Sequence, residues 1–191
     1  MSKKFLRNQM LELLKEMERS TYQRLSEKIT ESVLGSEEFR NAKVIGITVS
    51  RFPEVNTIPL IQASWEAGKK IAVPKCIRST REMDFRLIAS LDDLETVYMD
   101  LKEPIVDLTM QVGKGDIDLQ IVPGVLYSPA GYRIGFGGGY YDRYLSDYDG
   151  EMISLAFKCQ TGHNVPLEEH DIPVPKIFTE EEVIICRKGM H

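Results

Sequence analysis

The 191-residue chain is poor in cysteine, in long apolar runs and in positive charge. Its cysteines, Cys76, Cys159 and Cys186, are widely spaced and form no Cys-x-x-Cys pair, so neither a disulfide framework nor a zinc site is indicated. No stretch reaches the roughly 18 apolar residues of a transmembrane helix. The first residues lack the apolar run and cleavage site of a signal peptide. These features predict a cytoplasmic protein without a membrane partner.

Basic residues are too few to cover a nucleic-acid-binding face. Lys and Arg number 24 against 29 Asp and Glu, and the formal net charge is -5. No nucleic-acid partner is therefore expected, because such proteins present clustered Lys and Arg to phosphates. An acidic chain that binds an anion must gather positive charge or backbone N–H groups locally. Clusters of that kind are the places to search for a site.

Hydrophobic periodicity predicts a single α/β domain over residues 1–191. Helices are predicted over 3–18, 20–35, 57–68 and 140–148, and strands over 44–49, 71–73, 84–89, 119–122, 152–157 and 183–186. Ser20 and Gln23 have the spacing of a capping box at the start of the second helix. Strand–helix–strand order favours parallel pairing. The expected fold is a mostly parallel central sheet with helices on both faces, a Rossmann-like three-layer arrangement.

The most informative segment is a glycine-dense loop between a predicted strand and a predicted helix. Five glycines fall within nine positions, namely Gly131, Gly135, Gly137, Gly138 and Gly139. Glycine lets a backbone approach a ligand and adopt positive φ. Successive N–H groups near a helix N-terminus then form an anion site. A glycine-rich turn that only permits tight packing is the alternative.

The spacing of these glycines excludes the two common phosphate motifs. A dinucleotide fingerprint starting at Gly135 would need a third glycine where Tyr140 stands, and a P-loop would need Lys and Ser or Thr after the loop. Arg133 and Arg143 flank the loop and can neutralise phosphate oxygens. Asp142 directly follows it and can hold a hard cation such as Mg²⁺. The segment therefore predicts a phosphate cradle of another kind.

One long run begins at Pro123-Gly124 and continues through Gly131-x-Arg133-Ile134-Gly135-x-Gly137-Gly138-Gly139-Tyr140-Tyr141-Asp142-Arg143. This run resembles the signature of the 5-formyltetrahydrofolate cyclo-ligases. Three more segments resemble that family in the right order. They are the basic motif at 3–7, the folate-side loop at 54–57, and the C-terminal part from Ala156-Phe157 to His170-Asp171. Together the segments span nearly the whole chain.

The resemblance implies an enzyme that uses ATP and Mg²⁺ to close a ring in 5-formyltetrahydrofolate. ATP phosphorylates the formyl oxygen, N10 attacks the activated carbon, and phosphate leaves. The products are 5,10-methenyltetrahydrofolate, ADP and phosphate. The partner is then a small molecule, with or without a polyglutamate tail, and a monomer is expected.

The resemblance also implies roles for individual residues, position by position. ATP would be bound by Lys3, Lys4, Arg7, Arg133, Ile134, Gly135, Phe136, Gly137, Gly138, Gly139, Tyr140 and Tyr141. The folate would be bound by Val49, Glu54, Met83, Phe85, Phe136, Gly137, Gly138, Gly139, Tyr140 and Tyr141. Arg133, Tyr141 and Arg143 would be catalytic, and Asp142 and Asp171 would hold the metal.

Several residues keep two interpretations. Met83 and Phe85 fit a pterin contact or the core, and His170 fits an acid–base group or an exposed loop residue. Lys75 and Arg78 follow a strand and could meet the glutamate tail. A non-catalytic sensor of a phosphorylated ligand is an alternative function, as is a folate-binding protein that has lost turnover. A carboxylate at Glu54 favours a pterin site, because the pterin presents N–H donors.

Overall fold

The computed structural model describes residues 1–187. The helices are α1 (Lys3–Lys15), α2 (Arg19–Leu34), α3 (Glu37–Asn41), α4 (Ile58–Glu66) and α5 (Tyr140–Leu145). The strands are β1 (Val44–Gly46), β2 (Lys70–Ile77), β3 (Glu82–Ile88), β4 (Leu94–Thr96), β5 (Lys102–Pro104), β6 (Met110–Gln111), β7 (Leu119–Ile121), β8 (Leu126–Tyr127), β9 (Arg133–Ile134), β10 (Glu151–Leu155), β11 (Lys176–Phe178) and β12 (Val183–Ile185). None of the helices in this part of the chain is long and apolar enough to cross a bilayer.

Eight of these strands form one sheet in the order β12-β11-β10-β7-β1-β2-β3-β6. The five strands from β11 to β2 are parallel, and antiparallel strands close both edges. The predicted mostly parallel sheet is therefore confirmed. From β1 the chain moves to β2 on one side, and from β7 it moves to β10 on the other. This reversal creates a crevice at the carboxyl ends of β1 and β7, where α/β proteins bind ligands.

Helices cover both faces of the sheet, as predicted. Successive strand residues point to opposite faces, so Ile71 and Val73 join one core cluster while Ala72 joins another. The first cluster buries residues of α1, α2, α3 and α4. The second buries Tyr144 and Leu145 of α5. The apolar stripes of the long helices thus produce one large layer, and the short helix after the glycine loop covers the opposite face.

Some local predictions were wrong. The capping box at Ser20 does not form, because α2 begins at Arg19 with Glu18 as its N-cap, and the Ser20 hydroxyl donates to the Glu18 carboxylate at 2.9 Å. Leu13 of the predicted apolar stripe is 51% exposed. Strand β11 was missed, since its two apolar residues are too short a run to give a strand signal.

Candidate active site

A small cleft opens at the carboxyl ends of β1, β7 and β10. Its wall is made by residues at or just after the ends of these strands and by α1, including Thr48, Pro123, Gly124, Leu155 and Leu14. Glu54 of the predicted folate-side loop and Phe136 of the glycine loop line the same cleft. The fold therefore brings together two motifs that lie about eighty positions apart in the sequence.

The glycine loop connects β9 to α5 and adopts a backbone that only glycine accepts readily. Gly137 and Gly139 have φ angles of 96° and 71°, and Gly139 is the N-cap of α5. Side chains avoid this left-handed region because Cβ approaches the following carbonyl. Gly137 and Phe136 are exposed. The loop thus presents its backbone at the protein surface beside the cleft, as a ligand cradle requires.

Two arginines from distant elements hold the loop from outside. Arg7 of α1 donates from Nε to the Gly135 carbonyl at 2.6 Å. Arg81, in the turn between β2 and β3, donates to the Gly138 carbonyl at 3.4 Å, and its guanidinium lies 5.7 Å from the Tyr140 ring centre. No motif in the sequence pointed to Arg81, because only tertiary packing brings the turn to the loop. Positive charge is therefore gathered locally in an acidic chain.

Helix α1 places Arg7 and the predicted nucleotide-binding lysines beside the glycine loop. The Ser2 side chain accepts from the backbone N–H of Phe5 at 3.2 Å and so caps the helix where Lys3 begins. Lys3 and Arg7 are four residues apart and share a face of the helix. Lys4 is exposed. The basic motif is thus one helical turn that reaches from the glycine loop to the C-terminal segment.

Arg133, a predicted catalytic residue, points into the protein and forms an ion pair with the predicted metal ligand Asp142. Its side chain is only 4% exposed, and Nη2 lies 3.2 Å from Asp142 Oδ1. Nη1 donates to the Ile172 carbonyl at 2.6 Å, and the Ile172 N–H donates to Asp142 Oδ1 at 3.1 Å. The structure therefore uses Arg133 to fasten the segment after Asp171 to the start of α5. Arg143 is exposed on that helix.

Asp171, the second predicted metal ligand, already has a cation beside it. Lys3 Nζ lies 2.7 Å from Asp171 Oδ2 and 3.0 Å from Glu168 Oε2. Burial opposes the lysine charge, but hydrogen bonds with Asp171 and Glu168 raise the pKa of Lys3 above its usual value. The ammonium shows that these oxygens accept a cation, and oxygen donors suit Mg²⁺. The residues present therefore fit a metal ion, with Asp142 tied to the same segment through Ile172.

His170 lies at the outer side of this group. Its ring Nε2 is 3.3 Å from Glu168 Oε2, and its side chain is 71% exposed. Atoms of Glu168, His170 and Asp171 that could bind a metal all lie within 4.8 Å of one another. Sequence reasoning missed Glu168, which no motif singled out. The exposure of His170 agrees with the interpretation as a loop residue.

Glu54 provides a carboxylate inside the cleft. Its Oε2 accepts from the Arg51 N–H at 3.1 Å. Burial raises the pKa of Glu54, and the Arg51 N–H and guanidinium lower it only in part. Val49 is buried, and its backbone pairs with that of Lys102 next to this loop. Glu54 is therefore an acceptor whose burial suits a ligand that brings N–H donors.

Other predicted folate contacts lie away from the cleft. Phe85 is 2% exposed, and its ring centre is 4.8 Å from that of Tyr144 in the core under α5. Met83 packs against the same cluster. Tyr141 has a buried hydroxyl for which no partner is found among the described residues, and burial raises its pKa well above the usual value. The packing interpretation fits Phe85 and Met83, and their folate contacts stay predictions.

The fold and this site define an α/β protein with a parallel sheet, whose strand-order reversal is flanked by a glycine loop, basic side chains and a cluster of carboxylates. The model of the 5-formyltetrahydrofolate cyclo-ligase family matches residues 1–180, and the chain belongs to that family. It is 30% identical over 192 residues to a probable 5-formyltetrahydrofolate cyclo-ligase of Caenorhabditis elegans, with 94% of this chain and 93% of the relative covered.

Two further comparisons agree. The 5-formyltetrahydrofolate cyclo-ligase of Escherichia coli strain K12 is 31% identical over 146 residues, which cover 74% of this chain and 80% of the relative. The NMR structure of Aquifex aeolicus 5,10-methenyltetrahydrofolate synthetase superposes with a TM-score of 0.86 at 30% identity, covering 100% of this chain and 96% of that one. A synthetase structure from Mycoplasma pneumoniae, at 24% identity and a TM-score of 0.77, shares the fold.

Proposed function

We propose that this chain converts 5-formyltetrahydrofolate and ATP into 5,10-methenyltetrahydrofolate, ADP and phosphate. One observation carries the proposal beyond family membership. A single cleft joins the Glu54 carboxylate to the glycine loop, and α1 continues from that loop to the carboxylates of Asp171 and Glu168. A pterin acceptor, a phosphate cradle and a cation site are thus contiguous.

The chemistry needs activation of a poor leaving group. The formyl oxygen attacks the γ-phosphorus, the bond to ADP breaks, and N10 then attacks the activated carbon. The carbon–oxygen bond breaks, phosphate leaves, and the N10 proton is lost to solvent. The protein contributes positioning and charge stabilisation, as in other phosphoryl transfers.

The residues of the site divide this work. Arg7 and Lys3 supply positive charge at the loop, and the loop backbone approaches the phosphates. Glu54 accepts from pterin N–H groups and fixes the ring in the cleft. Asp142 and Asp171 are the proposed holders of Mg²⁺, which neutralises phosphate charge when bound. Arg133 lies in the protein interior, where its contacts with Asp142 and with the Ile172 carbonyl hold the Asp171 segment next to Asp142.

A turnover assay tests the proposed reaction. With ATP and Mg²⁺, purified protein is expected to convert 5-formyltetrahydrofolate with growing methenyl absorbance in the near ultraviolet. Omission of ATP removes the signal. Folded protein that gives no absorbance change with fresh substrate contradicts the proposal. A melting-temperature rise with sugar phosphates but none with folates would instead favour the sensor.

Replacement of Glu54 by glutamine is expected to weaken folate use while stabilising the fold. The neutral amide loses the charge that attracts pterin N–H donors, so kcat/KM falls about 10- to 100-fold. Because burial raises the pKa of Glu54 above 4.5, ionisation costs the folded state stability as pH rises past that value. The variant is therefore expected to melt higher than wild type at pH 8 and equally at pH 4.

The control for this variant is Glu66→Gln, an exposed carboxylate at the end of α4. It is expected to change neither kcat/KM nor the pH dependence of melting. Steady-state kinetics and thermal unfolding at both pH values make the comparison. Equal kcat/KM for Glu54→Gln and wild type would remove Glu54 from the folate site.

Three finer features belong to the same proposal. A cleft built from one chain supports a monomer, and light scattering tests this by measuring the molar mass in solution.

Three thiols without disulfide partners in residues 1–187 support a reducing compartment, the cytoplasm. Lys75 and Arg78, at the end of β2, support acceptance of polyglutamylated substrate. A comparison of kcat/KM for mono- and polyglutamyl substrates tests that acceptance.

A further inference from the structure

Lys3 has two uses in this site that exclude each other. The proposed function assigns its ammonium to a nucleotide phosphate and assigns Asp171 to Mg²⁺. In the structure that ammonium contacts Asp171 Oδ2 at 2.7 Å and Glu168 Oε2 at 3.0 Å. An ammonium and a divalent cation on the same carboxylate repel each other. Lys3 must leave Asp171 before a metal ion can use it fully.

We infer that Lys3 is a built-in counter-cation that occupies the Asp171–Glu168 site until nucleotide phosphate draws it away, so that the divalent cation binds with the nucleotide rather than before it. This inference rests on the proposed function for the identity of the nucleotide. It gives Lys3 a gating role at the metal site in addition to its phosphate contact.

The carboxylate needs a cation at all times. The Asp171 side chain is 5% exposed, and a buried charge without a partner is costly. The backbone N–H of Glu168 donates to the same Oδ2 at 2.9 Å, but an N–H dipole does not replace a full charge. Lys3 supplies that charge from 168 positions away. Exchange of one cation for another keeps Asp171 neutralised throughout.

The position of Lys3 on α1 makes the exchange short. Arg7 contacts the Gly135 carbonyl, and Lys3 lies one turn away, roughly 6 Å along the helix axis. The flexible four-carbon stem of lysine can swing over such a distance. A phosphate on the glycine loop is therefore within reach of an ammonium that now sits on Asp171.

The helix itself favours transfer of the ammonium to an anion. Lys3 and Lys4 stand in the first turn of α1, and that turn contains no acidic residue. Cations are unfavourable at this end because the helix dipole is positive there, and anions are favourable. Glu168 and Asp171 offset this cost through their contacts with Lys3. A phosphate can take over the same role when the metal ion takes the carboxylates.

The consequence is coupling between two ligands. Nucleotide raises metal affinity, and metal raises nucleotide affinity by the same factor. Removing the ammonium should therefore open the metal site to a cation that arrives alone. Mn²⁺ is a suitable probe, since carboxylate sites for Mg²⁺ also accept it.

The experiment measures Mn²⁺ binding to protein without nucleotide, by the electron paramagnetic resonance signal of free Mn²⁺. Lys3→Gln is expected to bind at least about tenfold more tightly than wild type, because Asp171 loses its internal cation. It should also melt below wild type in chelator and gain more than wild type from saturating Mn²⁺. Lys3→Arg keeps the charge and is expected to exclude Mn²⁺ as wild type does.

Lys15→Gln is the matched control, because it removes an exposed lysine from the last turn of the same helix. It should leave Mn²⁺ binding unchanged. Equal Mn²⁺ affinity in wild type and Lys3→Gln overturns the gating role, as does tighter binding by Lys3→Arg. An inactive enzyme whose Lys3→Gln variant binds Mn²⁺ more tightly would contradict the proposed function alone. An active enzyme with unchanged affinity would contradict this inference alone.

Discussion

Replacement of Asp142 by asparagine is expected to lower kcat about 100- to 1,000-fold, the effect of losing one group that stabilises transition-state charge. The carboxylate has two functions in this site. It is a proposed Mg²⁺ ligand, and it neutralises the Arg133 guanidinium, which is 4% exposed. Asparagine still accepts from the Ile172 N–H but brings no negative charge. A loss of about 2 kcal/mol in unfolding free energy should accompany the loss of rate.

Kinetics well below the melting temperature of the variant separate these two effects. If Asp142 holds the metal, the Mg²⁺ concentration for half-maximal rate should rise in the variant, and lower stability alone would not raise it. Asp149→Asn removes an exposed carboxylate from the loop after α5 and serves as the control, with wild-type kinetics expected. An unchanged Mg²⁺ dependence in folded Asp142→Asn protein would show that the metal is held elsewhere.

The centre of the sheet could be predicted because its strands are buried on both faces. Val44–Gly46 is apolar without alternation, which is typical of parallel strands, and the only polar residue of Leu119–Ile121, Gln120, is itself buried. The shortest strands gave weaker signals. β6 has two residues, and β11 carries only Ile177 and Phe178 as apolar residues. Such short strands depend on their neighbours in the sheet more than on their own sequence.

The site was predictable where its residues are close in the sequence. The glycine loop, Asp142 and the basic turn of α1 each form a local motif with its own chemistry. Contacts across the fold were not predictable. No spacing reveals that Lys3 meets Asp171, that Arg133 turns inward, or that Arg81 reaches Gly138. Phe85 shows the ambiguity of apolar residues, which suit a ligand wall and a core equally well.

Replacement of Gly131 by alanine is expected to cost about 3 kcal/mol or more of unfolding free energy, the sum of backbone strain and a displaced hydrogen bond. Gly131 has a φ of 87°, and a Cβ there would lie 2.0 Å from the Val174 carbonyl oxygen. The Val174 N–H donates to the Gly131 carbonyl at 2.9 Å. The new methyl group must therefore push away the segment that continues from Asp171 and Ile172.

Gly139→Ala provides the comparison for this prediction. Its φ of 71° imposes similar strain, but nothing lies within 4 Å of the added Cβ, so a cost of about 1–2 kcal/mol is expected. Urea unfolding of both variants measures the difference. Equal losses of unfolding free energy in the two variants would mean that the Val174 segment moves away from the new methyl group at no cost in stability. A larger loss for Gly131→Ala, with Mg²⁺ dependence altered as well, would show that the packing of this segment on Gly131 holds Asp171 in place for the reaction.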